Sequence, residues 1–145
     1  MVDTIDELSN LASKLNQQSD RLNSIISITN AKLEKLNIGL EVWVRGEAKG
    51  RKIDRHAKIT MLGYAKVEDK WQLAFKQATF QTIIDGDQEF DEILSATDSR
   101  SLLKASRAIR IESMPLIPDL LTALESEVES ALDDIDQAEK AAIKL

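Results

Sequence analysis

The chain has 145 residues, 43% hydrophobic and 30% charged, with a formal net charge of −6 at pH 7. That length suits one domain spanning 1–145, large enough to bury a core. With one His and no Cys, it excludes disulfides, zinc–thiolate sites, iron–sulfur clusters and thiol nucleophiles, and it leaves at most one histidine-based catalytic constellation.

Asp3, Asp6, Glu7, Lys14 and Asp20 interrupt every apolar run near the start. No basic, greasy leader is therefore expected. No window approaches 18 uncharged apolar residues, so no membrane span is expected either. An acidic, cysteine-free chain of this kind reads as cytoplasmic.

Residues 4–36 read as one long amphipathic helix. Leu8, Leu15, Leu22 and Leu36 fall seven or fourteen apart, and Leu11 and Ile25 follow two of them by three. Ile5, Ala12, Ile26 and Leu33 widen the stripe into a coiled-coil-like face. Thr4 and Glu7 have capping-box spacing, and Asn37 and Gly39 supply a stop.

Over 40–84 the period changes to two. Leu40, Val42 and Val44 alternate with polar or aromatic neighbours, as do Ile59, Met61, Gly63, Ala65 and Val67, then Trp71, Leu73 and Phe75. Glu68-Asp69 is the turn between the last two runs. The pattern predicts a three-stranded antiparallel meander, with the third strand extending through Phe80 to Ile84 across a bulge. One face is expected to join Val42 and Val44 with Ile59, Met61, Trp71, Leu73 and Phe75. The opposite face carries Trp43, Leu62 and Tyr64, expected to lie under the short helix or the connector, with a candidate partner surface as the alternative. Gly63, in mid-strand, marks a bulge or the close approach of a bulky neighbour.

Residues 85–97 read as an acidic connector. A short helix is expected over 98–113, capped by Asp98 or Ser99, and a long one over 118–144, with Pro118 in its first turn. Ile117, Leu121, Leu124, Val128, Ala131, Ile135, Ala138, Ala142 and Leu145 form its stripe. The fold class is α+β: a long N-terminal helix, the meander, a short helix, and a long C-terminal helix packed beside the first. At ~1.5 Å per residue the end helices reach about 48 and 40 Å. A round particle of this chain length is only about 38 Å across. Apolar helix surface beyond the sheet must then be covered by the other helix or by a second copy.

Candidate chemistry is sparse. His56, beside Arg55 and without a nucleophile elbow, reads as a strand-surface side chain. Asp85, Asp87, Glu89, Asp91 and Glu92 resemble the start of a calcium loop, but Phe90 and Ala96 stand where Gly and Glu are required. Asp54 with Glu68 and Lys70 imitates a metal-nuclease pattern, yet an extended strand between Asp54 and Glu68 separates them by about 45 Å. No catalytic, cofactor-binding or metal-ligating residue is expected, and no cofactor.

Charge is uneven. Six cations and two anions lie between Arg45 and Lys58, whereas Glu112 to Glu139 holds nine anions and no cation. Lys49, Arg51, Lys52, Arg55 and Lys58 are the candidate polyanion contact, without the aromatics of a base-stacking platform. Arg100, Lys104 and Arg107 form a basic stripe that reads as the wet face of the short helix. The leading expectation is a non-catalytic interaction or accessory protein, self-associating through its long helices. A nucleic-acid-binding accessory protein using the basic hairpin over 45–58 is the alternative, and an enzyme ranks last.

Overall fold

The computed structural model describes residues 3–46 and 56–144. Both end helices form uninterrupted: α1 spans Thr4–Leu36 and α3 spans Ile117–Ile143. Between them lie β1 (Val42–Arg45), β2 (His56–Val67), β3 (Lys70–Asp85), β4 (Gln88–Ala96), the two-residue β5 (Arg100–Ser101) and α2 (Arg107–Ser113). The architecture is α+β.

Asp3 caps α1, its carboxylate accepting from the Ile5 amide, one residue ahead of the expected Thr4. Asn37 ends the helix at φ 50°, the left-handed conformation that Asn tolerates. Ser106 caps α2 by accepting from the Ile109 amide. Pro118 sits in the first turn of α3, where its missing N–H leaves no helix hydrogen bond unmade.

The sheet is antiparallel in the order β1-β2-β3-β4, with β5 paired to β3 at Ala74 and Phe75. The fourth strand replaces the expected acidic connector. Gly86, at φ 62°, turns the chain between β3 and β4. All of β4 is exposed. Its outward carboxylates stay in water and blunt an open sheet edge, while Asp91 turns inward to Arg45 and Thr82. The expected helix over 98–113 is also shorter. Arg100–Ser101 pairs with β3, Leu102–Lys104 makes a 3-10 turn, and α2 starts only after the Ser106 cap. This course buries Leu102 and Ala105, both on the core.

Strand register corrects the expected assignment of faces. Val42 pairs with Tyr64 and Val44 with Leu62, while Tyr64 faces Leu73 and Leu62 faces Phe75. These residues share one face, the one covered by helices. Ile26 and Leu33 of α1 and Ile117, Leu120 and Leu124 of α3 meet Leu62, Tyr64 and Leu73 in one core cluster. Ile59 and Met61 lie on the other face with Ala78, Phe80 and Trp43. β2 is buried on both faces through its middle, so its alternation alone cannot say which set meets the helices. A slip of one residue exchanges the two.

The second face is closed by curling. Arg45 of β1 pairs with Asp91 of β4 at 3.1 Å and lies 4.7 Å from the Phe80 ring centroid. In a flat sheet three inter-strand steps of ~4.8 Å would separate β1 from β4, so the contact requires the sheet to roll towards this face. Trp43 lies flat on Gly63. A Cβ at Gly63 would come within 2.3 Å of the indole, and Lys76 covers the ring at 4.1 Å. The bulky neighbour expected at Gly63 is Trp43.

Candidate interaction surface

Read as heptads, α1 carries Ile5, Leu8, Ala12, Leu15, Ser19, Leu22, Ile26, Thr29, Leu33 and Leu36 along one stripe. Ser19, Ile26 and Leu33 are buried. The same stripe runs on towards the N-terminus uncovered: Ile5 is 71% exposed and Leu8 62%, with Leu11 and Leu15 also bare. α3 behaves in the same way. Ile117, Leu120 and Leu124 are buried, Val128 and Ala131 are half-buried, and Leu132, Ile135 and Ile143 are exposed. Each rod is therefore anchored at the end nearest the sheet and projects an unpaired apolar arm.

The size of this surface can be bounded. At ~25 cal/mol per Å² and ~3 kcal/mol for a fully buried leucine, such a side chain removes about 120 Å² from water. The seven bare Leu and Ile side chains of the two arms therefore offer about 500 Å² per chain. A symmetric pair would bury about 1,000 Å² of them, the threshold of a specific interface.

An asparagine ladder fixes the edge of the α1 stripe. Asn16, Asn23 and Asn30 recur every seven residues, on the side facing α2 and β3. Asn16 Oδ1 accepts from Arg107 at 2.9 Å, Asn23 Oδ1 accepts from Arg110, and Asn30 Oδ1 accepts from the Leu73 amide at 2.7 Å. The sequence reading missed this ladder, although three Asn at heptad spacing are visible in the chain. Arg107 is half-buried on α1 instead of solvated as the basic stripe suggested. Arg110 is half-buried as well, and its Nε is buried without an acceptor. Both guanidiniums meet neutral amides, and neither pairs with a carboxylate among the described residues.

The candidate partner face of Trp43, Leu62 and Tyr64 does not exist as a single patch. Leu62 and Tyr64 are buried under the helices, and Trp43 is half-buried on the opposite side of the sheet. The register described above separates them. Burial raises the Tyr64 phenol pKa above its ordinary 10.0, and the nearby Glu34 carboxylate adds to the rise.

Of the candidate polyanion contacts, Lys49, Arg51, Lys52 and Arg55 lie outside the described residues. Lys58 is exposed on β2, opposite Thr79. Arg45, at the start of the same segment, is held by Asp91 and Phe80. His56 opens β2, exposed and paired with Gln81.

A shallow cleft of about 790 Å³ lies where β5 and the following turn meet the β2–β3 hairpin, lined in part by Lys66, Phe75, Arg100, Lys104 and Ile109. Among the described residues Glu68 is the one carboxylate on its rim, and it pairs with Lys104 at 2.9 Å. Among the described residues, no three His, Asp or Glu side chains converge as a metal-ligand set. No helix among them is long and apolar enough to cross a membrane. Comparison with protein-family models, curated proteins and solved structures finds no match for this chain.

Proposed function

We propose that this chain is a non-catalytic interaction protein that self-associates through the projecting arms of α1 and α3. One observation carries the reading: the α1 stripe that is buried or half-buried from Ser19 to Leu33 continues without a break, and without cover, from Leu15 to Ile5. A lone helical arm of about a dozen residues is marginally stable in water, and packing of its apolar face is the usual remedy. Exposed apolar area on both rods is also more than scattered surface leucines would give.

Sedimentation velocity of the intact chain and of an L8D/L15D variant tests this reading. Both positions are exposed, so the variant keeps its core. The intact chain sediments as a dimer and the variant as a monomer that still unfolds cooperatively. Two species sedimenting alike as monomers at high micromolar concentration would overturn the reading. The polyanion alternative rests mainly on cations outside the described residues, and no observation favours it.

A further inference from the structure

We infer that the occupant of the bare α1 arm is the α3 arm of a second copy, running antiparallel to it, so that two copies close a four-helix bundle through reciprocal α1–α3 contacts. This inference rests on self-association and specifies which surfaces meet.

Charge favours this pairing over one between two α3 arms, and the area needed for a stable dimer disfavours one between α1 arms alone. α1 is anionic at its free tip, with Asp3, Asp6 and Glu7. It is mostly cationic towards the sheet, where Lys14 and Arg21 are joined by Arg107 and Arg110, with Asp20 as the exception. α3 has the reverse order. Glu125, Glu127, Glu129, Asp133 and Asp134 make its base and middle wholly acidic, whereas its tip is mixed, Lys140 and Lys144 standing with Asp136 and Glu139 and Lys140 reaching Asp136 at 3.0 Å. Set antiparallel, the two arms bring tip cations to tip anions and base carboxylates to base cations. Pairing α3 with another α3 side by side would crowd carboxylates on both rods instead. Antiparallel helices also align opposite ends of their dipoles.

Position supports the same occupant. Arg107 bonds Asn16, one turn before Ser19, the first buried residue of α1. A rod laid on Leu8 and Leu15 therefore abuts a half-buried guanidinium that has no carboxylate partner among the described residues. At that level of the antiparallel pair the α3 stripe is flanked by Glu127 and Glu129, acids placed to reach it. The contact is reciprocal, α1 on the partner's α3 and the partner's α1 on α3, so it closes with twofold symmetry. The area needed for a specific dimer is reached only when both arms are used.

The absence of native cysteine makes the test clean. L8C and A138C chains, both substituted at exposed positions, are mixed and mildly oxidised. A mixed L8C–A138C disulfide at dimer mass is the expected product. Disulfides joining only like chains, or no disulfide in a sample that still sediments as a dimer, overturn the pairing while leaving self-association standing. A sample that sediments as a monomer removes both. An L8C/A138C double variant that cross-links internally as a monomer shows that the chain's own arm is the occupant, which also refutes the inference. The charge pattern is read separately: E127K/D134K raises the dissociation constant about tenfold, and an unchanged constant contradicts the electrostatic basis.

Discussion

Replacing Gly63 with alanine probes the tightest contact of the curled face. An added Cβ would sit 2.3 Å from Trp43 Cε3 and 2.4 Å from Cδ2, about 1 Å inside ordinary carbon–carbon contact. Lys76 lies over the same indole at 4.1 Å, so a ring that moves off the new Cβ also gives up that cation–π contact. Overpacking of this kind costs about 1–3 kcal/mol. Glycine in mid-strand, on the other hand, is itself unfavourable relative to alanine by about 0.5–1 kcal/mol. The two effects have opposite signs, and the indole decides which wins. G63A should therefore destabilise the intact protein, by up to about 2.5 kcal/mol net. In a W43A background, where the ring is gone, the same change should be neutral or stabilising by up to about 1 kcal/mol. Urea unfolding of the four proteins, followed by far-UV circular dichroism so that the lost tryptophan does not alter the signal, gives a coupling of about 1–3 kcal/mol, the overpacking term alone. A G63A penalty that is the same with and without Trp43 would refute the stacking.

Three further outcomes follow from the geometry. Tyr64 is the sole tyrosine, so an ultraviolet titration reads it alone, and its ionisation is expected above 10.0 in the folded state. The folded phenol holds its proton longer than the unfolded one, so its contribution to stability is complete below pH 10 and is lost as pH rises through the folded value; ionisation at or below the ordinary value would contradict its burial. N30A leaves the Leu73 amide without its side-chain acceptor and should cost about 1–3 kcal/mol in denaturant unfolding, whereas a neutral result would deny the ladder a structural role. S106A removes the α2 cap and should cost about 1 kcal/mol; no loss of stability would show that the cap contributes nothing.

How far the sequence could be read depended on whether each element buries one face or two. α1 and α3 are one-sided, and their stripes placed both helices to within a residue at most boundaries. β2 buries Leu62 and Tyr64 on one face and Ile59 and Met61 on the other, so its alternation carried no information about register. That ambiguity produced the erroneous Trp43, Leu62 and Tyr64 patch. β4 is hard to see for the opposite reason: every residue in it is exposed overall, and acidic residues on an edge strand look like a loop. The two-residue turn at Glu68-Asp69 was legible from its polar pair between alternating runs, although both residues adopt positive φ without glycine. The bare arms could be anticipated from length alone. Their charge order and the asparagine ladder needed the structure, because only the fold shows that Arg107 and Arg110 come to rest on α1.

The central claim is that the arms of α1 and α3 do not stand free in solution. Hydrogen exchange read by mass spectrometry addresses it at peptide resolution, comparing residues 4–18 and 131–143 with the anchored segment 19–33. Coverage by a second copy predicts arm protection approaching that of the anchored segment in concentrated protein and falling on dilution. Arms that exchange at fraying rates at every concentration, beside a protected core, would contradict it.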